Sequence, residues 1–151
     1  MNNTDFSPDV NEAKNMVADI IKSIDEINKW SSNEAEKQIN QLLDNWKSLC
    51  ENTASAKSRE FCDKCEQILL ECTAFQNEII AKTESFRETV HDQLPVISAL
   101  AGDNEVIKGL LDQVIGQLWN DIERPRLLFL YDKSAELETS IQDMIELAIT
   151  V

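Results

Sequence analysis

The sequence predicts an all-α fold: an antiparallel bundle of four to five helices with coiled-coil-like heptad packing. Three observations carry this. Only 3 glycines and 3 prolines occur in 151 residues, too few for the many turns of a sandwich or barrel. Apolar residues recur every three or four positions, the period of a helix with one buried face. Hydrophobic residues make up 42% of the chain, enough for a packed core, and the length suits one domain. Residues 1–7 are polar and read as a disordered N-terminal segment, with 8–151 as a single helical-bundle domain.

The elements follow in order. Ser7-Pro8-Asp9 opens the first helix with a cap, a proline at the first helical position and an acid at the positive end of the dipole. Val10, Ala13, Val17, Ile20, Ile21, Ile24 and Ile27 share its inner face, and it is expected to end near Trp30. Ser31 and Glu34 fit a capping box, so a second helix with Ala35, Ile39, Leu42, Trp46 and Leu49 should fold back on the first as a hairpin. A turn is expected at Asn52-Thr53-Ala54-Ser55. The third helix, residues 56–93, is the longest at about 55 Å and the central one. Phe61, Cys65, Ile68, Cys72, Phe75 and Ile79 set its seam, Lys82 interrupts it, and Phe86 and Val90 resume it. Pro95 should then kink or break it.

Ala101 to Glu105 reads as a loop with Asp103 as the next N-cap. The fourth helix carries apolar pairs at 106/107, 110/111, 114/115 and 118/119, followed by Ile122. So wide an apolar face predicts the most buried helix of the bundle. Glu123-Arg124-Pro125 should end it. A last helix from Arg126 then packs Leu127, Leu130, Tyr131, Leu137, Ile141, Met144, Ile145 and Ala148 inward.

Charge is the strongest bias. The chain has 28 acidic against 14 basic residues, net −14. Acids number 14 both before and after residue 75, so they form a coat and not a tail. Such a surface repels phosphate backbones, which argues against direct nucleic-acid binding and favours basic partners. No stretch reaches the ~20 apolar residues of a membrane span. The opening Met1-Asn2-Asn3-Thr4-Asp5 has no basic region and no apolar run after it, so a cytoplasmic location is expected.

Residues that could carry chemistry have simpler explanations. Cys62-Asp63-Lys64-Cys65 is a C-x-x-C, with Cys50, Cys72 and His91 in the same half of the sequence. Zinc pairs of this kind sit at turns and need a second pair. Cys65 and Cys72 instead lie seven residues apart on a helical seam, where cysteine packs as a small hydrophobe. His91, the only histidine, reads as a surface or capping residue near a helix end. No phosphate loop, nucleophile elbow, zincin or calcium-loop motif occurs. No catalytic residue, cofactor or metal site is expected.

Residues that depart from the bundle's own rules point to binding. Gly109 and Gly116 fall with Gln113 and Asn120 outside the apolar face of the fourth helix, and each costs about 1 kcal/mol relative to alanine. Such glycines admit another backbone, from within the bundle or from a partner. Leu127, Leu128, Phe129, Leu130 and Tyr131 are apolar all round the helix, and Leu147 lies on the same line as Phe129. Gly109, Gly116, Leu127, Leu128, Phe129 and Leu147 are therefore the expected partner-binding residues. The expected function is a non-enzymatic protein–protein interaction module, an adaptor, inhibitor or chaperone, whose protein partner is basic. The alternatives are a bundle that self-associates as a structural protein, and an acidic mimic that blocks a nucleic-acid site on another protein.

Overall fold

The computed structural model describes residues 8–51 and 59–150, with the side chains of 148–150 excepted. The expected disordered segment 1–7 with its Ser7 cap, the turn at 52–55 and the inward-facing Ala148 lie outside what is described. The chain is all-α. Among the described residues every position is helical except the turn at 102–104. The elements are α1 (Pro8–Lys29), a π-helical segment π1 (Trp30–Ala35), α2 (Glu36–Glu51), α3 (Arg59–Ala101), α4 (Glu105–Gln113), a second π segment π2 (Val114–Glu123) and α5 (Arg124–Thr150). They run end to end as three long helical stretches, 8–51, 59–101 and 105–150. The expected four to five helices are therefore corrected to three.

Each of the three missing breaks has a physical reason. At Ser31–Glu34 the capping signal is overridden by burial: Trp30 is 8% exposed, Ser31 1% and Ala35 0%. Ser31 is thus a core side chain, not a cap. Buried positions continue through the stretch at Ile39 and Leu42, and the wider i→i+5 turns of π1 accommodate the extra residue between heptads. No hairpin forms there. At Pro95 the helix continues because the proline is on the exposed side, and the carbonyl left without a donor belongs to the exposed His91. Ile97 and Ala101 beyond it are buried and hold the last two turns in place. At Pro125, π2 ends immediately upstream, with the Arg124 N–H donating to the Trp119 carbonyl. That i→i+5 bond opens the turn against which the proline ring would press.

The one turn described is built as helix ends usually are. Gly102 takes φ +57° and donates its N–H to the Ser98 carbonyl at 3.1 Å, a left-handed cap that glycine adopts without strain. Asn104, and not Asp103, caps α4: its Oδ1 accepts the Ile107 N–H at 3.1 Å.

Two compact units divide the chain. Unit 1 comprises Met1–Trp30 and Ala81–Arg126. Its core holds Val10, Ala13, Val17, Ile20 and Ile24 from α1, Phe86 and Ile97 from α3, and Ile107, Val114 and Trp119 from α4 and π2. Phe86 and Trp119 meet with ring centroids 4.1 Å apart, at nearly equal distances along the chain on either side of the 102–104 turn, so α3 and α4–π2 run antiparallel. α1 touches both α4 and π2, and Asn28 near its end reaches Glu123 at the end of π2. Only a parallel course satisfies both contacts, since an antiparallel one would carry α4 past the end of α1. Unit 2 comprises Ser31–Ile80 and Leu127–Val151. Its core alternates steps of four and three along α3, with Phe61, Cys65, Ile68, Cys72, Phe75 and Ile79 all buried, joined by Ile39, Leu42, Leu127, Leu130, Leu137 and Ile141. Gln76 donates to Glu138 at 3.0 Å and ties α3 to α5.

Candidate functional site

The surface with the most to explain lies on α4 and π2 of unit 1, and it begins with a number in the sequence. The pairs 106/107, 110/111, 114/115, 118/119 and 122/123 recur every four residues. An α-helix turns once in 3.6 residues, so a strict four-residue repeat overshoots by about 40° at each step. Over four steps Ile122 would swing roughly 160° away from Val106. From Val114 onward the chain switches to i→i+5 bonding, which widens the turn and brings the repeat back into line. Val106, Leu110, Leu118 and Ile122, first members of their pairs, accordingly stay at the surface, 67, 36, 36 and 50% exposed. Second members Ile107, Trp119 and Glu123 are 1, 5 and 1% exposed. Val114 is the exception, a first member that is buried. This helix is therefore not the most buried one that its wide apolar face predicts: one edge of the face is core and the other is open.

The sequence did not single out these four residues as binding positions, yet the signal was present in the four-residue period. The same period explains Glu123, which stands where a fifth apolar second member would be. Its carboxylate is buried and accepts from Asn28 Nδ2 at 3.1 Å. In the same unit the Lys82 ammonium lies 4.7 Å from the centroid of the Trp30 ring, so the lysine that interrupts the α3 seam is held by a cation–π contact and the helix runs on through it.

The six residues expected to bind a partner divide between the two units, Gly109 and Gly116 in unit 1 and the other four in unit 2. Leu127 is 2% exposed, part of the unit 2 core, and offers no surface. Leu128 and Phe129 are 58 and 59% exposed, with the Lys133 ammonium 4.7 Å from the Phe129 ring centroid. Leu147 is also exposed, at 58%, but eighteen residues along α5 place it about 27 Å from Phe129, with Glu136, Ser140 and Asp143 on the line between them. Gly109 and Gly116 both lie in unit 1, and a Cβ added to either would meet nothing within 4 Å. Among the described residues, close packing within unit 1 therefore does not account for these glycines.

Three of the four thiols sit where burial disfavours the thiolate. Cys65 and Cys72 are fully buried, and Cys50 and Cys62 are half-buried. Burial pushes the Cys65 thiol up to about 11, helped by Cys62, Cys50 and Glu66. Burial, then Glu138 and Glu71, does the same to Cys72, also to about 11. Burial raises Cys50 as well. A thiolate is the nucleophile and the metal ligand, and these sites suppress it. Among the described residues no group of His, Cys, Asp and Glu is arranged to hold a metal ion. His91 does not stand at a helix end as expected, because α3 continues to Ala101. It lies exposed on the rim of a groove of about 560 Å³ floored by Phe86, Val90, Leu94, Ile115 and Trp119. Beside it Arg87 pairs with Glu84 at 3.0 Å.

Among the described residues no helix is long and apolar enough to cross a membrane. No family model, curated protein or solved structure matches this chain.

Proposed function

We propose that the chain is a non-enzymatic protein–protein interaction module that offers the α4–π2 edge of unit 1 to a basic protein partner. The observation that carries the reading is the row of Val106, Leu110, Leu118 and Ile122, open to solvent on a chain of net charge −14. Apolar side chains give such a contact its affinity, while the surrounding carboxylates steer a basic partner and repel acidic ones. Gly109, on the same helix and open on its outer side, lets a partner backbone approach. In this reading each unit is a heptad-packed bundle in which α3 runs antiparallel to its neighbours. The buried, un-ionised thiols suit a reducing compartment, and the cytoplasm is the proposed location. Self-association is the less favoured arrangement, because two copies bring like charges together.

The double variant Leu118→Asp/Ile122→Asp tests the reading, since both side chains are exposed and the core is left alone. Partners retained from the native cell by the wild-type chain should fall at least tenfold on the variant, with helical content and melting unchanged. Equal retention by both chains sinks the proposed surface. Sedimentation at low micromolar concentration should show a monomer, whereas a stable oligomer would favour the assembly reading.

A further inference from the structure

We propose that a groove between α2 and α3 in unit 2 is a second docking surface, for an amphipathic helix carrying two lysines or arginines two turns apart. The inference rests on the reading of the chain as an interaction module but uses a different face. The groove's floor is Leu42 and Phe75, 7 and 3% exposed. Its α3 side carries Glu71 and Glu78, and its α2 side carries the amides Gln38, Gln41 and Asn45. No lysine or arginine lines it, and neither glutamate has an ion pair among the described residues.

The geometry defines the occupant. Glu71 and Glu78 are seven residues apart on one helix, two turns, which spaces them by about 10.5 Å. A partner helix lying along the groove meets that spacing with cations at positions i and i+7, and sets the apolar side chains between them on the floor. The volume is about 290 Å³, at the bottom of the roughly 300–1,000 Å³ of small-molecule sites and suited to two or three side chains of a helix. A second copy of this chain is a poor occupant, since its net charge of −14 opposes the two glutamates. Amide walls add orientation without charge: each can donate and accept.

The probe is a synthetic helical peptide of leucine and lysine, with lysines at i and i+7 beside a leucine stripe, and a scrambled peptide of the same composition. Both are titrated into the isotope-labelled full chain and followed by NMR at two salt concentrations. The expected result is that the side-chain amide signals of Gln38, Gln41 and Asn45 move with the patterned peptide. Binding should weaken at least tenfold in Glu71→Gln/Glu78→Gln, whose circular dichroism stays that of the wild type. If those amides are still while signals of residues 106–122 move, the groove is wrong and the proposed function survives. Equal binding of the scrambled peptide reduces the effect to general charge attraction and overturns the groove, as does no binding at all.

Discussion

α3 and the α4–π2 stretch are both long, both apolar on one side, and yet wind differently. Along α3 the buried residues from Phe61 to Ile79 advance by alternating steps of four and three. That averages 3.5, close enough to the 3.6 of the α-helix that the drift is only about 20° per heptad and the backbone stays α-helical. Along α4–π2 the pairs advance by four every time, and the mismatch is too large for that. The backbone itself changes, to π geometry from Val114 to Glu123. α3 thereby closes its seam in the core, whereas α4–π2 keeps four apolar side chains at the surface. A small difference in period thus separates an element that closes its apolar seam from one that leaves part of it at the surface.

The comparison can be broken by deleting one exposed residue from each element. Removing Thr73 from α3 rotates everything beyond it by about 100° relative to what precedes it, which takes either Phe75 and Ile79 or the residues before Cys72 off the core side. With each such side chain worth about 1.5–3 kcal/mol, the loss should reach about 3–6 kcal/mol, comparable to the lower end of a whole domain's stability. Removing Gln117 from π2 instead takes away the residue in excess, shortens one step to three and lets the segment return to α geometry. That deletion should cost less than about 2 kcal/mol, by analogy with surface changes that leave the core intact. Urea unfolding followed by circular dichroism measures both. Equal losses would refute the account of π2 as a response to the four-residue repeat.

The same contrast shows what the sequence made legible. Heptad steps gave the all-α class and most of the core, because burial of an apolar seam is what holds these helices together. The expected breaks are a different matter. Ser31 with Glu34, Pro95, and Glu123-Arg124-Pro125 are genuine local stop signals, but Ala35, Ile97, Ala101, Leu127 and Leu130 are buried beyond them. Local preference is worth about 1–3 kcal/mol per site, and several buried side chains outweigh it. Of the expected binding residues, Leu128, Phe129 and Leu147 are at the surface while Leu127 is not. The run of five apolar residues that suggested them could not say which face the core would take. Val106 and Ile122 were visible as apolar, but their exposure depends on a backbone change that a wheel of fixed pitch hides.

A smaller effect sharpens the contrast from the α3 side, where the seam is built partly of thiols. Folding raises the Cys65 and Cys72 values from 9.0 to about 11. Below pH 9 both states hold neutral thiols and the fold loses nothing. Between pH 9 and 11 the unfolded chain ionises first, so stability falls as pH rises, by on the order of 2 kcal/mol for each thiol. Chemical unfolding at pH 8 and pH 10.5 should show that loss, and Cys65→Val/Cys72→Val should remove most of it. An unchanged loss in the variant would mean that other groups drive alkaline unfolding and that the seam thiols are better solvated than their burial implies.

The smallest effect has the opposite sign. Gly109 sits inside α4, its backbone is not left-handed, and an added Cβ meets nothing within 4 Å. Alanine there should stabilise the chain by about 1 kcal/mol, a rise in melting temperature of roughly 2–4 °C for a chain of this size. Gly116 has the same open surroundings but lies in π2, where a stronger α-former works against the widened turn, so Gly116→Ala should gain less. A gain at Gly109 accompanied by weaker retention of partners would show that the glycine is kept for the approach of another backbone. The same gain with retention intact would leave that glycine without a part in binding and confine the interface to the apolar row beside it.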